Sequence, residues 1–189
     1  MSQGATPALS RRALLLVPAG AAAAFATGSW LLDRLRRGAD QSLAPPSPLI
    51  GRQLPVFSLP GQPPGQGFSS ADIIAAGRPA LLNFFASWCM PCAQEAPVLR
   101  GLKQQGVQVW GIAYKDAPTA TSEFLQNAGN PYARVARDEH GTIGAVFGLI
   151  GVPESFMVDT SGFVRWHWAG ELSEKVVRRS INPLLQHLA

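Results

Sequence analysis

Two cysteines, Cys89 and Cys92, constrain this chain more than any other feature: they are its only ones, set between an apolar run and a helix-like segment. Pro79 to Ala86 reads Pro-Ala-Leu-Leu-Asn-Phe-Phe-Ala, the kind of stretch that becomes a central strand buried on both faces. A helix is expected from Pro91 to Gln105, with Pro97 kinking it. Positions i and i+3 share a helix face, so the two sulfurs come within disulfide reach without backbone movement. With Cys89 at the N-cap, unpaired N–H groups and the helix dipole favour its thiolate. Cys89 is therefore the expected nucleophile and Cys92 the buried resolving thiol.

Other uses of a C-x-x-C pair are half a zinc site, a copper site or a structural disulfide. A structural zinc takes four ligands, yet His140, His167 and His187 form no pair at ligand spacing. No metal and no cofactor is expected. A disulfide closing so short a loop removes little chain entropy, so its value lies in chemistry.

The net charge of +4 looks like a basic protein's, but six arginines and two aspartates in residues 1–52 account for all of it. The neutral remainder gives nucleic-acid binding no electrostatic support. Residues 13–32 carry no charge and are just long enough to cross a bilayer as a helix. Ser10-Arg11-Arg12 ahead of them resembles part of a twin-arginine export signal, and Ala24-Phe25-Ala26 offers a cleavage site. An uncleaved anchor and a cleaved export peptide both fit. The length and the Trp30-Leu31-Leu32 end favour the anchor, whereas Arg34, Arg36 and Arg37 count against it. Either reading places residues 33–189 outside the cytoplasm, in a Gram-negative periplasm or its equivalent.

The expected organisation is a cytoplasmic segment over 1–12, an anchor or signal over 13–32, a tether over 33–50 with Pro45-Pro46-Ser47-Pro48, and a folded domain over 51–189. Within the domain, Val56–Leu59 reads as an edge strand and Ser69–Ala75 as a short helix capped by Ser69 or Ser70. Strands follow at Val107–Tyr114 and Tyr132–Ala136, and helices at Thr119–Asn127 and Thr142–Leu149. A hairpin over Ser155–Asp159 and Phe163–Trp168 and a closing helix over Ser173–Leu188 complete the chain. The order βαβαβα then ββα implies a mixed sheet with helices on both faces. Trp166 and Trp168 alternate with His167 in one strand and are read as a packed face.

Trp88 before the cysteine pair, Pro97 within the following helix and Gly151-Val152-Pro153 ahead of the hairpin together resemble the thioredoxin fold over about residues 50–189. Tyr114-Lys115-Asp116, Gly129-Asn130-Pro131-Tyr132, Gly151-Val152-Pro153-Glu154-Ser155-Phe156 and Ala169-Gly170-Glu171-Leu172 are similar to motifs of the DsbE/CcmG family. Its members are membrane-anchored thiol:disulfide interchange proteins of cytochrome c biogenesis. The resemblance implies an α/β, thioredoxin-like fold behind one transmembrane helix or signal. It implies a periplasmic oxidoreductase of the inner membrane that reduces the C-x-x-C-H disulfide of apocytochrome c before haem attachment, with electrons from a transmembrane thiol reductase of the DsbD/CcdA type. A general periplasmic reductase, an oxidant of the DsbA type, and a non-catalytic module binding apocytochrome or copper are the rivals.

The buried aspartate of ordinary thioredoxins corresponds here to Asn83, which cannot accept a proton. Glu95, on the helical face of Cys92, and Glu154, beside Pro153, match acidic positions of the family and are the candidate catalytic acids. Their bland alternatives are a solvated helix residue and an exposed loop carboxylate. Val152-Pro153 is expected to be cis and to offer its backbone to a substrate strand. Trp88 is either a core aromatic or a lid over the disulfide; with Val152 and Pro153 it completes the candidate substrate site.

Overall fold

Six consecutive residues with no solvent-facing member form the middle of the sheet: β3, Ala80–Phe85, is buried throughout. The computed structural model describes residues 42–188. The strand is buried because it has a neighbour on each side, parallel β4 (Gln108–Tyr114) and antiparallel β6 (Glu154–Val158), and helices over both faces. Beyond these lie β5 (Arg134–Asp138) and β7 (Val164–Ala169), giving the order β5-β4-β3-β6-β7. The expected mixed sheet is present, and the fold is thioredoxin-like α/β.

The period-two alternation of β3 divides the core in two. Leu81 and Phe85 pack with Leu99, Leu102, Ile181 and both cysteines, whereas Leu82 and Phe84 pack with Ile73, Phe147 and Phe156 on the opposite face. Asn83 shares the first face, a polar residue at the centre of the sheet.

Local chemistry sets the helix starts. Ser69 caps α1 (Ser70–Ala75) in a reciprocal capping box with Asp72. Burial is slight at Asp72, and its hydrogen bonds from Ser69 hold its carboxyl below the usual range. Cys89 caps α2 (Met90–Gln104), and Pro91 in the first turn needs no N–H partner. α3 (Pro118–Ala128) and α4 (Thr142–Phe147) follow. The closing segment is α5 (Glu174–Val176), a π turn over Val177–Ile181 and α6 (Asn182–Leu188), rather than one regular helix.

Three expectations need correction. The edge strand near Val56 is only β1 (Ser58–Leu59), paired with β2 (Phe68–Ser69) in a separate two-stranded sheet. Val56 itself is 93% exposed, because the apolar residue that turns inward there is Phe57. The strand expected from Tyr132 begins at Arg134, since the Tyr132 side chain serves the core and its N–H goes to Asn130 Oδ1. Finally, the part of the tether that is described is no free spacer. Leu43 N–H donates to Ala169 O at 2.8 Å, Ala169 N–H to Ser42 Oγ at 3.0 Å, and Leu49 packs on the core. Residues 42–50 thus line the β7 edge. The segments 1–12 and 13–32, and the tether up to residue 41, lie outside the described residues. Among the described residues no helix is long and apolar enough to cross a membrane.

Candidate active site

Cys89 and Cys92 are joined by a disulfide with Cα atoms 5.3 Å apart. As N-cap of α2, Cys89 has extended backbone angles, and its Sγ accepts the Cys92 N–H at 3.2 Å. That amide is one of the orphan donors of the first helical turn, so the sulfur sits where a thiolate is stabilised by N–H groups and dipole together. Both sulfur-bearing residues are buried, while their neighbours Trp88 and Met90 are 62% and 73% exposed. Trp88 is therefore a surface residue and not core; its Nε1 donates to Lys115 O at 3.3 Å.

The loop before β6 meets the nucleophile. Val152 O lies 3.5 Å from Cys89 Sγ, and the Val152–Pro153 peptide is cis. The Val152 N–H has no partner among the described residues, which leaves it open to the carbonyl of an added strand. A small groove of about 130 Å³, lined by Leu43, Ile150, Pro153 and Gly170, runs beside this loop. Between α2 and α3 lies an open groove of about 580 Å³ lined by Ser87, Ala93, Glu123 and Phe124, with neither cysteine in its lining.

Below the disulfide lies a buried polar network. Asn83 Nδ2 donates to Glu95 Oε1 at 2.8 Å and to Ser155 Oγ at 3.0 Å, and Asn83 Oδ1 accepts from the Tyr132 hydroxyl at 2.7 Å. Glu95 Oε2 accepts the Leu172 N–H at 2.9 Å. Tyr132 reaches Asn83 because Gly111, the register partner of Asn83 on β4, leaves room for its ring; a Cβ there would sit 2.7 Å from Tyr132 Cγ. Burial pushes the Glu95 carboxyl up to about 8, against the lowering effect of the Leu172 and Asn83 donors. Burial also holds the Tyr132 hydroxyl well above its ordinary value, with Glu95 acting in the same direction. Glu95 is fully buried, three residues beyond Cys92 on α2, and shares no hydrogen bond with either sulfur among the described residues.

Glu154 is likewise buried, but it serves the loop. Its Oε1 accepts from Ile150 N–H at 2.8 Å and Gly151 N–H at 3.3 Å, and its Oε2 lies 3.0 Å from His167 Nε2. On the other side of the disulfide, Asp116 accepts from the N–H and hydroxyl of Ser87, each at 2.7 Å, and from Thr121 Oγ1 at 2.9 Å. Sequence reasoning assigned no role to Asp116, Tyr132, Ser155 or His167. The first three stand inside the quoted motifs, which was the available signal. His167 had none, because strand alternation pointed only to the stacked Trp166 and Trp168, 6.1 Å apart on the other face.

A proximal thiol at a helix N-terminus, a second buried thiol in reach, and a loop with an unpartnered backbone N–H beside them can perform thiol–disulfide exchange. Comparison with known proteins agrees. The profile of the AhpC/TSA family matches residues 50–167. The chain is 38% identical to the thiol:disulfide interchange protein DsbE of Pseudomonas aeruginosa, over 94% of this chain and 96% of that protein. It is 40% identical to the thiol:disulfide interchange protein HelX of Rhodobacter capsulatus, covering 75% of this chain and 80% of HelX. The crystal structure of a thiol:disulfide interchange protein DsbE from Chlorobium tepidum superposes with a TM-score of 0.60 at 26% identity, over 72% of this chain and 96% of that one.

Proposed function

The chain belongs to the DsbE/HelX group of thiol:disulfide interchange proteins within the thioredoxin-like AhpC/TSA family, and from that premise we infer that this disulfide oxidoreductase reduces the C-x-x-C-H disulfide of apocytochrome c before haem attachment. The observation that carries the chemistry is Cys89 Sγ at the α2 N-cap, accepting the Cys92 N–H and facing the Val152 carbonyl. Support for the cytochrome substrate comes from the motif resemblance around Tyr114, Pro131, Pro153 and Gly170. The unpartnered N–H of Val152 supports an extended peptide as the form in which it is taken up.

In the reaction, the Cys89 thiolate attacks one sulfur of the substrate disulfide. A Cys89–substrate S–S bond forms, the substrate's own bond breaks, and one substrate thiolate leaves. Deprotonated Cys92 then attacks Cys89 Sγ, closing the Cys89–Cys92 disulfide and expelling the second substrate thiolate. Two electrons pass to the substrate, whose thiolates take up two protons. A transmembrane thiol reductase of the DsbD/CcdA type returns the pair to the dithiol by the reverse exchange. We assign Glu95 as the base for Cys92: its ionised form takes the Cys92 proton as that sulfur attacks, and a carboxyl raised to about 8 by burial matches a thiol in basicity, becoming an acid that returns the proton in the reverse exchange. We place the domain in the periplasm, held at the inner membrane by residues 13–32.

The test is a trap. Cys92→Ser retains the attacking sulfur and loses the resolving one, so it accumulates a mixed disulfide with an oxidised C-x-x-C-H peptide that survives electrophoresis without reductant. In cells, deletion lowers holocytochrome c and added small thiols partly restore it. Normal holocytochrome c in an unsupplemented deletion strain leaves a general thiol reductase as the better account.

A further inference from the structure

Glu154 and His167 stand on one face of the β6–β7 hairpin. Glu154 pairs with Ala169 and Phe156 with His167, so the two ionisable residues are diagonal neighbours across the ladder. That face is otherwise apolar. The imidazole lies against Phe156, with ring centroids 4.7 Å apart, and Phe156 packs on Phe84 and Phe147. Both side chains are nearly inaccessible, at 4% for His167 and 2% for Glu154. A carboxylate in such a place is tolerated only if its oxygens are matched. Two of its three partners among the described residues belong to one loop, and the third is His167 on β7. Oε1 takes the Ile150 and Gly151 amides, and Oε2 takes His167 Nε2.

His167 Nδ1 is buried with no partner among the described residues. If Nε2 carries the hydrogen and donates it to Glu154, the unmatched atom is a lone pair rather than an N–H, which is the less costly arrangement. The imidazole then acts as a fixed donor that keeps the carboxylate turned toward the loop. Two residues further along, Val152 O stands 3.5 Å from Cys89 Sγ. A continuous set of contacts thus runs from β7 through His167, Glu154 and the Ile150–Gly151 amides to the backbone facing the nucleophile.

We propose that His167 is a positioning residue: through Glu154 it sets the Ile150–Pro153 loop at the height at which Val152 receives the substrate strand beside Cys89. Ile150, 65% exposed on the same loop, is carried into place with it. The pair touches neither sulfur, so it governs how a peptide is held and not how fast a held disulfide exchanges. This rests on the reading of the substrate as an extended peptide added at Val152.

The experiment compares two oxidants of the reduced, full-length protein: an oxidised C-x-x-C-H peptide, which needs the strand site, and hydroxyethyl disulfide, which does not. His167→Phe keeps ring volume and removes the donor. It should raise KM for the peptide about tenfold, the worth of a lost hydrogen bond to a charged group, with kcat nearly unchanged. The rate with hydroxyethyl disulfide should not move. His167→Gln, which returns an N–H to the same reach, should restore the peptide KM. In the wild-type protein, the Ile150 and Gly151 amides should be as protected from hydrogen exchange as those of β6, a measurement that stands even if His167→Phe fails to fold. An unchanged peptide KM in His167→Phe, an equal loss with both oxidants, or unprotected Ile150 and Gly151 amides overturns the proposal. Wild-type protein that reacts no better with the peptide than with hydroxyethyl disulfide overturns instead the strand-addition reading beneath it.

Discussion

The Asp116 carboxylate holds the N–H and the hydroxyl of Ser87, each at 2.7 Å, two residues ahead of the nucleophile Cys89. Asp116 follows Lys115, whose φ of +48° turns the chain sharply at the end of β4. The same turn offers Lys115 O to Trp88 Nε1. The β4–α3 connection is thus a clamp on the Ser87–Trp88–Cys89 approach. Asp116→Ala leaves the partly buried Ser87 N–H without its acceptor, which should cost about 1–3 kcal/mol of stability. Urea unfolding should show a lower midpoint at unchanged m-value, and single-turnover reduction of a disulfide should slow several-fold. An unaltered midpoint would show that the clamp holds nothing.

Glu95 makes stability depend on pH. Its carboxyl lies at about 8 in the fold against an ordinary 4.5, so between those values the native state binds more protons than the unfolded one. Stability therefore falls as pH rises. The contribution is fully present below the unfolded value and is lost as pH climbs through about 8. Glu95→Gln cannot ionise, so its urea midpoint should be flatter from pH 5 to pH 9, and disulfide reduction should be slower without global unfolding. Parallel pH profiles for the two proteins would remove the buried acid from the account.

The two thiols should differ in reactivity. Cys89 holds the N-cap position and accepts the Cys92 N–H, while Cys92 lies within the helix. Iodoacetamide should modify Cys89 much faster, with an apparent thiol pKa below about 8.5. Equal, slow alkylation of both would undo the assignment of nucleophile and resolving thiol.

The couple should be reducing. The Cys89 sulfur faces the Val152 carbonyl oxygen as well as the helix donors, and an acceptor dipole so placed limits how far the thiolate is stabilised. The dithiol thus gains less than in strong oxidants. Equilibration with glutathione should place the potential nearer thioredoxin, at about −270 mV, than DsbA, at about −120 mV. A value on the DsbA side would discard the reductase direction.

The sequence by itself determined what short-range physics controls. An unbroken apolar run must be a strand covered on both faces, and β3 is. Cysteines three apart at a helix start must share a face, and Cys89 and Cys92 are bonded at the N-cap of α2. Ser69 ahead of Asp72 must cap a helix. Tertiary structure alone decided the partners of isolated polar residues, since spacing says nothing of what another element brings. Asn83 is one polar residue in an apolar run until Glu95, Ser155 and Tyr132 arrive from α2, β6 and the segment before β5. Glu154 reads as a candidate catalytic acid, or else an exposed loop acid, until hairpin pairing sets His167 diagonally beside it and closes the face over both. Residues 42–50 read as a Pro-rich spacer because composition reports stiffness, whereas the unpaired edge of β7 that captures Leu43 exists only once the sheet has formed.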